Sequence, residues 1–221
     1  MLKPRVLMTL LLAMMGVAAD LLLAVLLHWQ DTETLYQENH LLELLQLAAL
    51  AGCVLVFGLR ARAGADRYAR LQLGALALLS ACMFYRESDF RWLLPEGSPA
   101  HAVAWVLLRS AFVLALPGVA WAFARCWLLD RQRFANFLNS GPGALLALAA
   151  VLLLGGVLLD KSVIRIAEPN RLFEELFELN AYGLMLIAGG SRGLGRPTSR
   201  RAQGSAGVPV GKPRHGLPLE R

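Results

Sequence analysis

Glu174, Glu175 and Glu178 stand within five positions of one another late in an apolar chain. On a helix Glu174 and Glu178 share a face one turn apart, and Glu175 neighbours Glu178 at i, i+3. Three carboxylates that close repel unless a cation, a proton or an arginine sits among them. Both signs of charge occur in Arg86-Glu87-Ser88-Asp89, which ends the apolar run from Leu71 to Met83, while Glu43 and Gln46 lie at helical i, i+3 spacing in an earlier run. Together with Asn180 and Tyr182 these side chains are hard oxygen donors, suited to Mg²⁺, Ca²⁺ or Mn²⁺ and poor for zinc. Glu43, Glu87, Asp89, Glu174 and Glu178 are the candidates for holding such a divalent cation. A second chemistry is a carboxylate that carries a proton while another, paired with arginine, stays ionised. A third is a mixed Arg and Glu cleft that holds a lipid head group. Against all three stands a plain structural role, in which the same residues join helices or form their wet ends.

The elements that would position these groups are membrane helices. A spanning helix needs about 20 mostly apolar residues, and the segments 6–28, 40–59, 71–90, 101–124, 143–159 and 172–190 meet or approach that length. The runs are continuous rather than alternating, which argues for helices and against a barrel. Lys3 and Arg5 before an apolar stretch resemble the start of a signal peptide, yet apolar residues resume at Leu21, so a retained first helix interrupted by Asp20 is expected. Pro117 and Gly155-Gly156 mark kinks or close packing. Segment 128–138 reads as an amphipathic piece on the inner surface. Asn170 is a natural N-cap for the last helix.

With 57% hydrophobic and 17% charged residues, the composition fits a chain that crosses a bilayer several times. The net charge of +6 invites a nucleic-acid reading. However, the basic, Gly- and Pro-rich stretch 191–221 carries the imbalance and has little apolar surface to bury, which predicts a disordered tail. Basic residues cluster at Lys3 and Arg5, at Arg60 to Arg70, at Arg125 to Arg133 and in the tail, while most acidic residues fall in the alternate connections. By the positive-inside rule both termini are cytoplasmic.

That topology brings the ionisable residues to one depth. Asp20 lies in the outer half of the first span, Arg109 about 12 Å into the fourth, and Asp160 with Lys161 ends the fifth. A charge at mid-bilayer costs about 3 kcal/mol and must face the interior, a partner or water, so Asp20 is expected to pair with Arg109, and Arg86 with Glu174 or Glu178. Cys53, Cys82 and Cys126 lack paired spacing, and Ser80, Ser88 and Ser110 lack the His and Asp arrangement of serine hydrolysis.

Three resemblances are partial. Leu184 to Gly195 looks like the glycine-rich nucleotide loop of short-chain dehydrogenases, but the helix and parallel sheet that this loop requires have no room in the 26 residues that follow. Glu174-Glu175 is similar to the paired glutamates of CAAX-type intramembrane proteases, which would imply hydrolysis within the bilayer. Leu179 stands where that motif has arginine, and His215 lies in the tail, away from any motif position. Alkaline-ceramidase-like hydrolases also place a polar site in a helical bundle, with several histidines, whereas His28, His40 and His101 occur singly at helix ends.

The expectation is an all-α, six-span domain over 1–190 with a cytoplasmic tail over 191–221, in a bacterial inner membrane. Its partner is the lipid bilayer and not nucleic acid. Its site is an outward-facing polar cluster drawn from Asp20, Glu43, Gln46, Arg86, Glu87, Asp89, Arg109, Asp160, Glu174, Glu175 and Glu178. That cluster would bind a cation, a proton or a lipid head group in a transport or accessory role, with an intramembrane hydrolase as the alternative; the only cofactor suggested is a divalent cation.

Overall fold

The computed structural model describes residues 4–28, 41–88, 98–161, 163 and 170–191. Within them the chain forms α1 (Pro4–His28), α2 (Leu41–Arg62), α3 (Arg67–Glu87), α4 (Pro99–Leu129), α5 (Arg131–Leu138), α6 (Gly141–Asp160) and α7 (Asn170–Gly190), and no strand is present among the described residues. Asp89 and residues 192–221 of the tail lie outside the described residues, as does the Asn170 side chain.

The helix starts follow from local chemistry. Asp66, Ser98, Asp130 and Ser140 each accept a hydrogen bond from the backbone N–H three residues on, satisfying a donor that has no partner within the helix. Asp130 ends α4 and starts α5, so the amphipathic segment folds as a separate short helix. Pro117 sits inside α4 without dividing it.

Four helices among the described residues, α2, α3, α4 and α6, are long and apolar enough to cross a membrane, and Val6–Leu22 of α1 is a shorter apolar helix. Their outer faces are greasy: Leu12, Leu55, Leu107, Leu114 and Val151 are all exposed. Apolar surface on that scale belongs against lipid rather than water. The helix with the most carboxylates, α7, falls short of that apolar criterion and is the one most enclosed, lying against α1, α2 and α6.

Helices α2 and α7 run parallel in a constant register. Gln46 bonds to Glu175, the Cys53 thiol donates to the Tyr182 carbonyl at 3.7 Å, and the Arg60 guanidinium donates to the Gly189 carbonyl and, at 2.7 Å, to that of Ser191. Each step is seven residues on both helices, the repeat that keeps one seam facing a neighbour along two parallel helices. Small residues let the backbones approach: a Cβ on Gly189 would lie 3.2 Å from Phe57 and Val56, and one on Gly52 3.0 Å from Leu186. On the other side of α7, a Cβ on Gly155 would fall 2.8 Å from the Phe177 ring, and Gly156 faces Glu178. The Gly155-Gly156 pair is thus a close-packing position. The core between these helices comprises Leu50, Phe57, Leu73, Leu76, Ala149, Tyr182 and Met185.

Candidate functional site

The head of the α2–α7 seam and the last turn of α3 meet in a polar cluster. Glu178, the one charged side chain buried among the described residues at 3% exposure, receives the Arg86 guanidinium from α3. The same guanidinium holds Glu87 at 2.9 Å, and the Tyr182 hydroxyl donates to Glu87 Oε1 at 3.0 Å. Arg86 therefore ties its own helix to α7 through two carboxylates, and Tyr182 closes the ring one turn below Glu178. Charge-assisted bonds of this kind are the stronger ones, and in a buried network each partner satisfies another.

A second knot lies beside the first. Gln46, fully buried on α2, donates through Nε2 to the Glu175 carboxylate at 2.6 Å and to the Glu175 carbonyl at 3.0 Å. Those two acceptors fix the amide so that Gln46 Oε1 must face elsewhere, and this atom is buried with no hydrogen-bond partner. Arg171, one turn before Glu175, reaches Glu175 at 3.8 Å and Glu43 at 3.6 Å. Glu174 is half-buried one turn before Glu178.

Of the predicted residues, Glu43, Gln46, Arg86, Glu87, Glu174, Glu175 and Glu178 are thus brought to one end of α2, α3 and α7. Two others, Asp20 and Arg109, lie elsewhere, whereas Asp160 at the end of α6 is close enough for its charge to act on Glu174. The expected Asp20–Arg109 pair does not form, because α1 packs on α6 and α7 while α4 packs on α3 and α5. Asp20 is exposed on α1, and Arg109 lies over the Trp105 ring at 4.7 Å on the exposed face of α4. Asp160 pairs with the adjacent Lys161 at 2.6 Å on the surface, and this neighbour raises the Lys161 ammonium above the ordinary lysine range. Among the described residues no three His, Cys, Asp or Glu side chains converge closely enough to hold a metal ion; Asp89 is not among them.

Arg171 and the bonding role of Tyr182 escaped the sequence reading, although Arg171 stands at i, i+4 from Glu175 and so had a visible signal. Asn180, read as a possible oxygen donor, spends its amide on the Leu176 carbonyl of its own helix. Ser80 and Ser88 likewise donate to carbonyls one turn back, at Leu76 and Phe84.

No family profile, curated protein or solved structure matches this chain. What the structure defines is the class: among the described residues, an all-helical protein with several helices able to cross a membrane.

Proposed function

We propose that this chain is a six-span inner-membrane protein, both termini cytoplasmic, whose α2–α3–α7 cluster binds a positively charged ligand from the outer side. The ligand is a proton, a small cation or the cationic part of a lipid head group, in a transport or accessory role. The observation that carries this reading is charge imbalance in a partly dry place. Among the described residues, Glu87, Glu174, Glu175 and Glu178 lie close together, with Arg86, Arg171 and Lys161 as the nearby cations. Buried carboxylates in excess of their cations recruit a positive partner or a proton. The unpartnered Gln46 Oε1 adds a neutral acceptor of the kind that a cation or an N–H group takes up.

The six-span topology draws support from the seam. Helices α2 and α7 are parallel with α3, α4 and α6 between them in sequence, as alternate crossings of one bilayer require. The basic residues Arg60, Arg62, Arg67, Arg70, Arg131 and Arg133 fall at the opposite end from the carboxylates, which supports a cytoplasmic orientation of that end by the positive-inside rule.

The test is a titration of purified protein in neutral detergent with Na⁺, Mg²⁺, Ca²⁺ or ethanolamine, and with protons from pH 8 to 5, read by thermal midpoint. A ligand of the cluster raises the midpoint, and Glu175→Gln and Glu178→Gln abolish that response. If the variants merely lower the midpoint and every response persists, the cluster is structural and the proposal fails.

A further inference from the structure

The far end of α3 holds a polar nest of the opposite kind. Tyr68 and Gln72 are one helical turn apart on one face of α3 and are buried, at 6% and 2% exposure. The Arg133 guanidinium of α5 stacks over the Tyr68 ring at 4.3 Å. Its Nη1 bonds to Asp66 Oδ2 at 2.8 Å, while its Nη2 is buried with no partner. Tyr68 Oη and Gln72 Nε2 are also buried without partners. Three orphaned polar atoms on two neighbouring positions of one α3 face and on the α5 arginine packed over it are unusual, because each costs about 1–3 kcal/mol when left dry. Arg133 can only donate, Tyr68 and Gln72 can both donate, and a ligand that satisfies all three at once is therefore an acceptor.

The geometry points to an oxyanion site formed by Arg133, Tyr68 and Gln72, with a phosphate group as its ligand. A tetrahedral phosphate offers several acceptor oxygens at once, and Arg pairs with phosphate through a planar fork. Asp66 occupies one side of that fork and leaves the other for the anion; Arg70, whose charge also acts on Asp66, offsets its repulsion. Asp130, which caps α5 through the Arg133 N–H, is the other nearby carboxylate. The nest lies at the basic end of the bundle, where α3 begins and α4 gives way to α5. The phosphate of a lipid head group and free phosphate both meet these requirements. The site is separate from the acidic cluster and does not depend on how that cluster functions.

The experiment uses full-length protein, delipidated in neutral detergent, titrated with inorganic phosphate in one arm and with phosphatidylglycerol in another. Diolein, which lacks phosphate, and NaCl at matched ionic strength are the controls. One of the two phosphate probes should raise the thermal midpoint while both controls leave it unchanged. Response to inorganic phosphate identifies a free-anion site, and response to phosphatidylglycerol alone identifies a lipid site. Tyr68→Phe and Gln72→Leu each delete an orphaned group, so each keeps the ligand-free midpoint or raises it, yet each weakens binding about tenfold. No response to either probe, or undiminished binding in both variants, overturns the assignment.

Discussion

Helices α4 and α7 invert the rule that governs a water-soluble protein. The longer and more uniformly apolar α4 exposes most of its surface, with Leu114 73% exposed, whereas α7, with three glutamates in two turns, lies among its neighbours with Glu178, Tyr182 and Ala188 buried. In water that arrangement would discard the main driving force for folding. In lipid it is the favourable one, since apolar faces lose nothing by meeting acyl chains and polar groups must find partners inside the bundle. The contrast also explains why the candidate site is on α7: a helix that cannot face lipid is the one whose charges are available to one another.

The comparison can be broken at several points. Removing Arg86 has the largest expected effect, because Arg86→Leu leaves Glu178 enclosed without its cation; a loss of about 3 kcal/mol is expected in detergent unfolding. Crowding the α6–α7 contact comes next. Gly155→Val drives a side chain into the Phe177 ring and should cost about 2 kcal/mol, recovered in part by Phe177→Ala. A paired truncation then sharpens the contrast between inside and outside. Leu50→Ala, at a fully buried position, should cost at least about 2 kcal/mol, and Leu114→Ala less than about 0.5 kcal/mol. Equal losses at Leu50 and Leu114 would deny that the α4 face meets lipid.

A modest pH dependence is expected at the basic end. The Arg133 guanidinium, followed by the Ala69 N–H, holds the Asp66 carboxyl below the usual carboxylate range despite partial burial. A lowered folded-state pKa contributes stability that is complete above the unfolded value and is lost as pH falls through the folded one. At neutral pH that contribution is therefore present, and acid titration below the ordinary aspartate range removes it. Because Asp66 is partly exposed, less than about 1 kcal/mol is expected. Comparison of Asp66→Asn with the parent chain across pH 6 to 3 should show a shallower acid loss in the variant.

Much of this architecture was legible in the residues. The continuous apolar runs 71–90, 101–124 and 143–159 gave helices within five residues of their observed ends, and the amphipathic segment 128–138 corresponds to the separate helix α5. The i, i+4 spacing of Glu174 and Glu178 and the terminal position of Arg86 brought the Arg86–Glu178 pair within reach of sequence reasoning, because spacing fixes a face and depth fixes a level. Spacing does not say which helices are neighbours. Asp20 and Arg109 have compatible depths and opposite charges, yet α1 and α4 pack on different helices, so the pair expected from depth alone fails. The seven-residue seam of Gln46, Cys53 and Arg60 with Glu175, Tyr182 and Gly189 was hidden for the same reason: all but one of its bonds go to backbone carbonyls, which have no residue signature.

The most direct test of an inward-facing polar α7 is a double-substitution cycle on Arg86→Leu and Glu178→Leu, measured as unfolding free energy in one detergent. The account predicts a coupling of about 2 kcal/mol or more, with the double variant more stable than Arg86→Leu alone. Additive losses, with coupling within about 0.5 kcal/mol, would contradict it.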